Sequence, residues 1–267
     1  MALKTGAKTL NDGLYNAERL VNGQSTMTKT PIKIEVDDLN SFYGNVHTLH
    51  HVNVAIPESG ITAVVGPSGS GKTTFLRSLN RLHDLIPGAQ MTGNIVIDGE
   101  DIMLFGQNGE QMSRLRQRVG MLFQHPHPFP LSLFENIAYG MRLPGRASRN
   151  ERRVRVEQAL RQVGLWDEVK DQLKQNALRL AFGQQRLLCM ARVLATSPEV
   201  LLLDEPYAGL DPLSAHAFEE LIIRLGQQYT IVMTMANPCL ARRVANATCT
   251  LLDGYLTGCV WEHQEVS

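Results

Sequence analysis

The chain has 267 residues, 43% of them hydrophobic and 19% charged, which is an ordinary composition for a soluble globular protein. Its 26 basic and 26 acidic residues give zero net charge, which argues against broad electrostatic binding to nucleic acid or anionic lipid. The longest apolar runs are far shorter than the roughly 20 residues that a membrane span needs, and no apolar signal segment begins the chain. We therefore predict a cytosolic chain without a nucleic-acid partner, which acts at a membrane only through another protein.

The cysteines provide a second indication of the compartment. Cys189, Cys239, Cys249 and Cys259 show no C-x-x-C spacing. We interpret all four as free thiols in a reducing environment.

The first part of the chain changes from a polar extension to short strands. Residues 1–31 are polar and mixed, and we predict a flexible N-terminal extension followed by one domain over residues 32–267. Apolar segments then predict three strands, IKIEV, HVNVAI and ITAVV. A helix follows Lys72 with an apolar face that includes Leu82, and Pro87-Gly88 is expected to stop it.

The rest of the chain alternates strands and helices around a helical insertion. Residues from about 125 to 185 have helical periodicity and predict an inserted helical subdomain. Strand patterns return at Glu199–Pro206 and Thr230–Met235, separated by a helix over Ser214–Leu225. Wholly apolar strands that alternate with helices predict an α/β fold with a parallel sheet covered on both faces.

The segment GPSGSGKTT, residues 66–74, lies between an apolar strand and a helix and predicts a phosphate-binding loop. Its glycines allow successive N–H groups to converge on a phosphate, and the following helix points its positive end at the same anion. Lys72 supplies a charge to the β- and γ-phosphates, and the Thr73 hydroxyl can ligate Mg²⁺. We predict nucleotide binding by Gly66, Pro67, Ser68, Gly69, Ser70, Gly71, Lys72, Thr73 and Thr74.

An acidic pair follows a second buried strand. Asp204 ends a run of three leucines, so its carboxylate is expected at the carboxyl edge of the sheet, where open α/β sheets bind ligands. We predict that Asp204 holds Mg²⁺ and that Glu205 polarises the attacking water, with Lys72 as a further catalytic residue; the family resemblance described next implies Gln124 as the third.

Four motifs occur in the order and spacing of ABC-transporter ATPase subunits: GPSGSGKTT, MLFQHP with Gln124, LLLDEP, and GLDP at Gly209–Pro212. The resemblance covers roughly residues 32–261. Within that superfamily, LNRLHDLIPGA (Leu79–Ala89) and the stretch Val119–Gly140 are similar to the ATP-binding subunit of phosphate importers.

This resemblance implies a P-loop NTPase core with a mainly parallel sheet, an N-terminal antiparallel β subdomain and an inserted helical subdomain. It implies ATP and Mg²⁺ as cofactors, with Tyr43 stacked on adenine and Gln124 ligating Mg²⁺. Asp211 would lie at the interface of an ATPase dimer, and the HPHPFP segment would line the groove for a membrane permease.

Two segments depart from the family. The signature L-S-G-G-Q is replaced by Leu180 to Gln184, in which Ala181 lacks the serine hydroxyl and Phe182 stands for the first glycine. The histidine expected after TIVMTM is replaced by Ala236. Because loss of one transition-state donor costs about 10²–10³ in rate, we expect weak turnover.

These observations leave two main hypotheses. The first is the ATP-binding subunit of a phosphate importer, a homo- or heterodimer that works beneath permease subunits at the cytoplasmic face of the inner membrane. The second is a degenerate, weakly hydrolysing paralogue with a regulatory role. A soluble ABC protein of repair or translation is disfavoured by the single nucleotide domain and the importer-like segment at Gln124.

Overall fold

Two β-sheets form the framework of the chain in a computed structural model that describes residues 14–21, 24–107, 109–141 and 148–261. The first sheet is antiparallel, with the order β1-β2-β5-β6 and with β3 paired to β2. Part of the predicted flexible extension belongs to the paired strands β1 and β2. Residues 1–13 and 22–23 of the extension lie outside the described part, so its flexibility remains a prediction. The strands are β1 (Leu14–Val21), β2 (Gln24–Tyr43), β3 (Val46–Pro57), β5 (Ala89–Ile97) and β6 (Glu100–Asp101).

The second sheet is parallel except for one edge strand, in the order β11-β10-β4-β9-β8-β7. Val65 at the end of β4 is opposite Met235 of β9, and Leu203 at the end of β8 is opposite Met233. The loops that follow these three strands therefore meet at one edge of the sheet. The strands are β4 (Gly60–Val65), β7 (Val119–Leu122), β8 (Val200–Leu203), β9 (Thr230–Met235), β10 (Ala247–Leu252) and β11 (Tyr255–Trp261).

Helices cover the parallel sheet, and the predicted helical insertion contains α3, α4, α5 and the start of α6. The helix after the phosphate loop ends at Leu79, earlier than expected, because Arg81 adopts a positive φ of 57° and pairs with Asp84. The domain boundaries remain a prediction. The helices are α1 (Lys72–Leu79), α2 (Glu110–Arg118), α3 (Leu133–Ala138), α4 (Arg149–Gln162), α5 (Trp166–Val169), α6 (Phe182–Leu194), α7 (Pro212–Gly226) and α8 (Pro238–Val244).

The parallel sheet separates two hydrophobic cores. Leu201 and Leu203 of β8 face the core formed with α3, α4, α6 and α7. Val200 and Leu202 of the same strand face the core shared with α1, α2 and the antiparallel sheet. Successive side chains of a strand point to opposite faces, so a strand buried on both faces is apolar throughout. This architecture confirms the predicted P-loop NTPase core with its antiparallel β subdomain.

The hairpin β10–β11 corrects the prediction of four free thiols. Cys249 and Cys259 form a disulfide, whereas Cys189 and Cys239 are free. Asp253 and Gly254 both have positive φ, as in the Asp-Gly turns that close two-residue hairpins. A register shift between Thr250 and Leu251 then moves the pairing by one residue, so that Cys249 lies opposite Cys259 rather than Gly258. The prediction of a reducing environment therefore loses the support of these two residues.

An ion-pair network joins the two sheets at the edge opposite the phosphate loop. Lys33 Nζ lies 2.7 Å from Asp98 and 2.9 Å from Glu199, while Arg118 contacts Asp98, Glu100 and Glu199. Burial raises the pKa of Glu199, but hydrogen bonds from Arg118 and Lys33 outweigh this effect and lower the pKa from 4.5 to about 2. Glu199 thus connects the start of β8 to the antiparallel sheet.

This network predicts an acid-labile contribution to stability. Because the pKa of Glu199 is lower in the folded state, its contribution is present above pH 4.5 and is lost as the pH falls towards about 2. After allowance for solvent screening, Glu199→Gln should lower the free energy of unfolding by about 1 kcal/mol at pH 7 and by less at pH 3. Urea titrations at both pH values measure this difference. The exposed Glu220→Gln is the control, and an equal loss at both pH values would contradict the prediction.

Candidate nucleotide-binding site

The phosphate loop closes tightly between β4 and α1 because of its glycines. A Cβ atom on Gly66 would lie 2.1 Å from the carbonyl oxygen of Leu251 in β10, so a side chain cannot fit there. Gly69 and Gly71 have φ values of 82° and 99°, and Gly71 is the N-cap of α1. Backbone N–H groups at the start of this helix are therefore available to an anion.

Lys72 is buried inside the loop that it follows. Its Nζ donates to the carbonyl oxygens of Gly66 at 2.8 Å and Pro67 at 3.0 Å, and it lies 3.3 Å from Glu205 Oε1. The Ser70 hydroxyl is also buried and has no hydrogen-bond partner among the described residues, while Ser68 is exposed. A phosphate bound by Lys72 would compete with the Glu205 carboxylate for the ammonium group.

Asp204, which follows β8, contacts both the phosphate-binding segment and β9. Thr73 Oγ1 lies 3.0 Å from each carboxylate oxygen of Asp204, and Thr234 Oγ1 donates to Asp204 Oδ1 at 2.7 Å. Asp204 is 3% exposed. Hydroxyl and carboxylate oxygens are ligands that Mg²⁺ prefers, so Thr73 and Asp204 fit this ion.

Glu205 is held in a strained backbone conformation beside Asp204. Its φ is 42°, which is unusual for a residue with a side chain, and its N–H donates to Thr234 Oγ1 at 2.9 Å. Its Oε2 accepts from the N–H of Ala236 at 3.2 Å. The position that carries histidine in the family thus contacts Glu205 through its backbone.

Thr234 is a site residue that the sequence reasoning missed. Its hydroxyl contacts both Asp204 and the backbone of Glu205, although it is fully buried in β9. The available signal was a polar residue in the otherwise apolar end of TIVMTM. A buried hydroxyl needs hydrogen-bond partners, and the acidic pair at the end of the preceding strand could provide them.

For two predicted site residues, Gln124 and Tyr43, the described hydrogen bonds are with residues other than the acidic pair. Gln124 follows β7 at the same sheet edge, but its side chain is exposed and only its carbonyl oxygen has a described hydrogen bond. Tyr43 ends β2, and its hydroxyl lies 3.4 Å from Thr74 Oγ1 in α1. The structure thus brings Lys72, Thr73, Asp204 and Glu205 together, while Tyr43 contacts α1 at Thr74.

The altered signature begins α6 with an aromatic residue. Ala181 is the N-cap and has no side-chain oxygen, so the only capping contact here is from its N–H to Gln184 Oε1 at 3.1 Å. The Phe182 ring is 41% exposed and lies against Gly209, where a Cβ atom would be 3.2 Å from the ring. Gly209 therefore makes room for Phe182 in the loop that leads to Asp211, the N-cap of α7.

Arg186, which the sequence analysis also missed, connects α6 to the loops around the site. It is completely buried and donates to the carbonyl oxygens of Gln124 at 2.6 Å, Pro206 at 2.6 Å and Ala208 at 2.8 Å. Burial lowers the pKa of its guanidinium. One side chain therefore fixes the segment after β7 relative to the segment after Glu205.

Removal of Arg186 should therefore destabilise the chain. Arg186→Met leaves buried carbonyl oxygens without donors, at a cost of about 1–3 kcal/mol each, so we expect the free energy of unfolding to fall by about 3 kcal/mol. Urea denaturation measures this loss, with the exposed Arg224→Met as the control. Equal stability of the two variants would contradict the role of Arg186.

A glycine-rich loop between a parallel strand and a helix, with a buried carboxylate at the end of another strand of the same sheet, defines a P-loop nucleoside triphosphatase. Comparison with known proteins specifies the family. The ABC transporter family matches residues 49–208. The chain therefore belongs to the ABC transporter family, as an ATPase domain.

Individual relatives agree with this assignment. A phosphate import ATP-binding protein PstB of Bacteroides fragilis is 48% identical over 227 residues, which cover 85% of this chain and 88% of that protein. The PstB protein of Cytophaga hutchinsonii is 47% identical over 225 residues, covering 84% and 89%. Among solved structures, cbiO1 from Clostridium perfringens, part of the ABC transporter complex cbiONQ, has a TM-score of 0.74 at 26% identity, covering 88% of this chain and 90% of that one.

None of the helices in the described part of the chain combines the length and the hydropathy that a bilayer crossing requires.

Proposed function

We propose that this chain is the ATP-binding subunit of an ABC-type phosphate import system. It would couple Mg·ATP binding and hydrolysis to phosphate transport, as a peripheral subunit at the cytoplasmic face of the membrane beneath permease subunits. The observation that carries the proposal is the nucleotide site in a chain 48% identical to a phosphate import ATP-binding protein. The proposed cargo and partners are inferred from relatives that are phosphate import ATP-binding proteins, whereas the proposed nucleotide chemistry rests on this chain's own residues.

Nucleotide binding divides between two groups of residues. The loop from Gly66 to Thr74 binds the phosphates, with Lys72 as the positive charge inside it. Thr73 and Asp204 hold the magnesium ion, with Gln124 as a further ligand from the end of β7. When bound, Mg²⁺ neutralises charge on the β- and γ-phosphate oxygens.

Glu205 is the general base in this proposal. Its carboxylate now pairs with Lys72 and with the N–H of Ala236. A triphosphate that takes over Lys72 frees one carboxylate oxygen to accept a proton from water. Thr234 keeps the backbone of Glu205 in place during this exchange.

Dimerisation of two ATPase subunits completes each site in this proposal. Phe182 and Asp211 lie exposed at the start of α6 and α7, on the segments that would face the nucleotide of the partner. Ala181 cannot donate a hydrogen bond there, and Phe182 adds a ring. Turnover should therefore be slow although the binding residues are present.

Two substitutions separate binding from hydrolysis. Lys72→Ala removes a charged donor worth about 1.5–3 kcal/mol, so we expect the Kd for Mg·ATP to rise at least tenfold. Glu205→Gln should keep the affinity and lower the hydrolysis rate about 10²-fold or more. Calorimetry and phosphate release measure the two effects, with Glu220→Gln as the control. Unchanged hydrolysis in Glu205→Gln would exclude it as the base.

The altered family positions make a separate prediction about rate. The triple variant Ala181→Ser/Phe182→Gly/Ala236→His should hydrolyse ATP at least tenfold faster than the unmodified chain, because each missing donor costs about 10²–10³ in rate. Glu205→Gln in the same background must abolish the gain. Equal rates in the triple variant and the unmodified chain would show that the replacements are catalytically neutral.

Reconstitution tests the cargo and the partners. The chain should co-purify with permease subunits of a phosphate importer and support ATP-dependent uptake of labelled phosphate into proteoliposomes. Lys72→Ala is the matched inactive subunit, and unlabelled sulfate is the competitor that reveals a different oxyanion. Failure to bind these permease subunits, while a related importer ATPase binds them, would overturn the proposal.

A further inference from the structure

The segment Leu79–Ala89 resembles phosphate importers but supplies none of the phosphate- or metal-binding residues. It is nevertheless firmly held. Arg81 is 7% exposed and donates to the carbonyl oxygen of Ile102 at 2.6 Å, and it pairs with Asp84. These contacts of Arg81 hold the backbone beside His83, the next buried residue of the segment.

His83 lies under the end of β2, where the predicted adenine-stacking residue is found. It is 1% exposed, and its Nδ1 lies 3.1 Å from the Tyr43 hydroxyl. Its Nε2 lies 3.3 Å from the carbonyl oxygen of Gln90 and 3.3 Å from Ser41 Oγ. The two ring centroids of His83 and Tyr43 are 4.7 Å apart.

The carbonyl oxygen of Gln90 determines the tautomer of this ring. A carbonyl oxygen can only accept, so Nε2 must carry the proton. Burial lowers the pKa of His83 below 6.5, although hydrogen bonds to the backbone of Gln90 and Phe42 and the charge of Asp84 oppose the shift. The neutral ring therefore has a bare Nδ1, which accepts from the Tyr43 hydroxyl.

The same logic fixes the direction of the next hydrogen bond. Since the Tyr43 proton points to His83, its oxygen accepts from Thr74 Oγ1 at 3.4 Å. Thr74 is in the first turn of α1, directly after Lys72 and Thr73. A chain of hydrogen bonds thus leads from β5 through His83 and Tyr43 to the helix that binds the phosphates.

We propose that His83 is a positioning residue, which orients Tyr43 as the platform for the adenine ring and connects that platform to the phosphate-binding helix. This inference rests on the proposed ATP-binding function. It gives the segment Leu79–Ala89 a role at the base end of the nucleotide. The neighbouring N–H of Gly44, bound to the carbonyl oxygen of Gly88 at 2.9 Å, attaches the loop after Tyr43 to the same segment.

The experiment compares ligands with and without a base. His83→Leu replaces the imidazole with an apolar side chain of similar size and leaves the Tyr43 hydroxyl without its acceptor. We expect the Kd for Mg·ATP to rise about five- to tenfold, the range for one lost hydrogen bond, while the Kd for Mg·tripolyphosphate stays unchanged. His83→Asn restores an acceptor near Nδ1 and should recover most of the affinity. The exposed His216→Leu is the matched control.

A double-mutant cycle with Tyr43→Phe isolates the contact. Once His83 is leucine, Tyr43→Phe should cause no further loss, because the hydroxyl has already lost its partner. Circular dichroism and urea denaturation establish that each variant is folded.

The outcomes separate this inference from the function on which it rests. Unchanged ATP affinity in a folded His83→Leu variant, or equal weakening of ATP and tripolyphosphate, would overturn the positioning role alone. Absence of Mg·ATP binding by the unmodified chain would overturn the proposed function together with this inference. If Tyr43→Phe weakens binding in the leucine background as much as in the unmodified chain, the two residues act independently and the inference is wrong.

Discussion

The carboxylate of Asp204 is the point on which the nucleotide site depends. It is nearly excluded from solvent, and hydroxyl groups from two different elements, Thr73 in α1 and Thr234 in β9, donate to it. A buried charge is tolerated only when its hydrogen-bonding capacity is met. The register of β4, β8 and β9 places those donors beside Asp204, so the geometry of the site depends on the order and pairing of the strands.

The phosphate loop and the acidic pair could be predicted because local sequence determines them. Gly66 has no room for a Cβ atom, and Gly71 adopts a positive φ, so the local backbone conformation requires glycine at both positions. Asp204 directly follows an apolar strand, and the carboxyl edge of a parallel sheet is where ligands bind. Family resemblance added Tyr43 and Gln124, whose roles no local pattern reveals.

The remaining contacts could not be predicted because they join residues that are distant in sequence. Arg186 meets the carbonyl oxygen of Gln124 across 62 positions, and an arginine in a helical pattern gives no sign that it will be buried. Cys249 and Cys259 are close in sequence, and the Asp-Gly turn between them predicts a hairpin. That turn alone would place Cys249 opposite Gly258, so the disulfide depends on the register shift between Thr250 and Leu251, which the turn does not predict.

The two sheets are also connected at a point far from the nucleotide site. β2 carries Lys33 near its middle and Tyr43 at its end, while Glu199 directly precedes β8 and Asp204 directly follows it. The Lys33–Glu199 ion pair therefore joins the two strands whose other ends lead to Tyr43, which would contact a purine, and to Asp204, which would hold a metal ion. A contact far from the ligand thus belongs to the framework that carries both halves of the site.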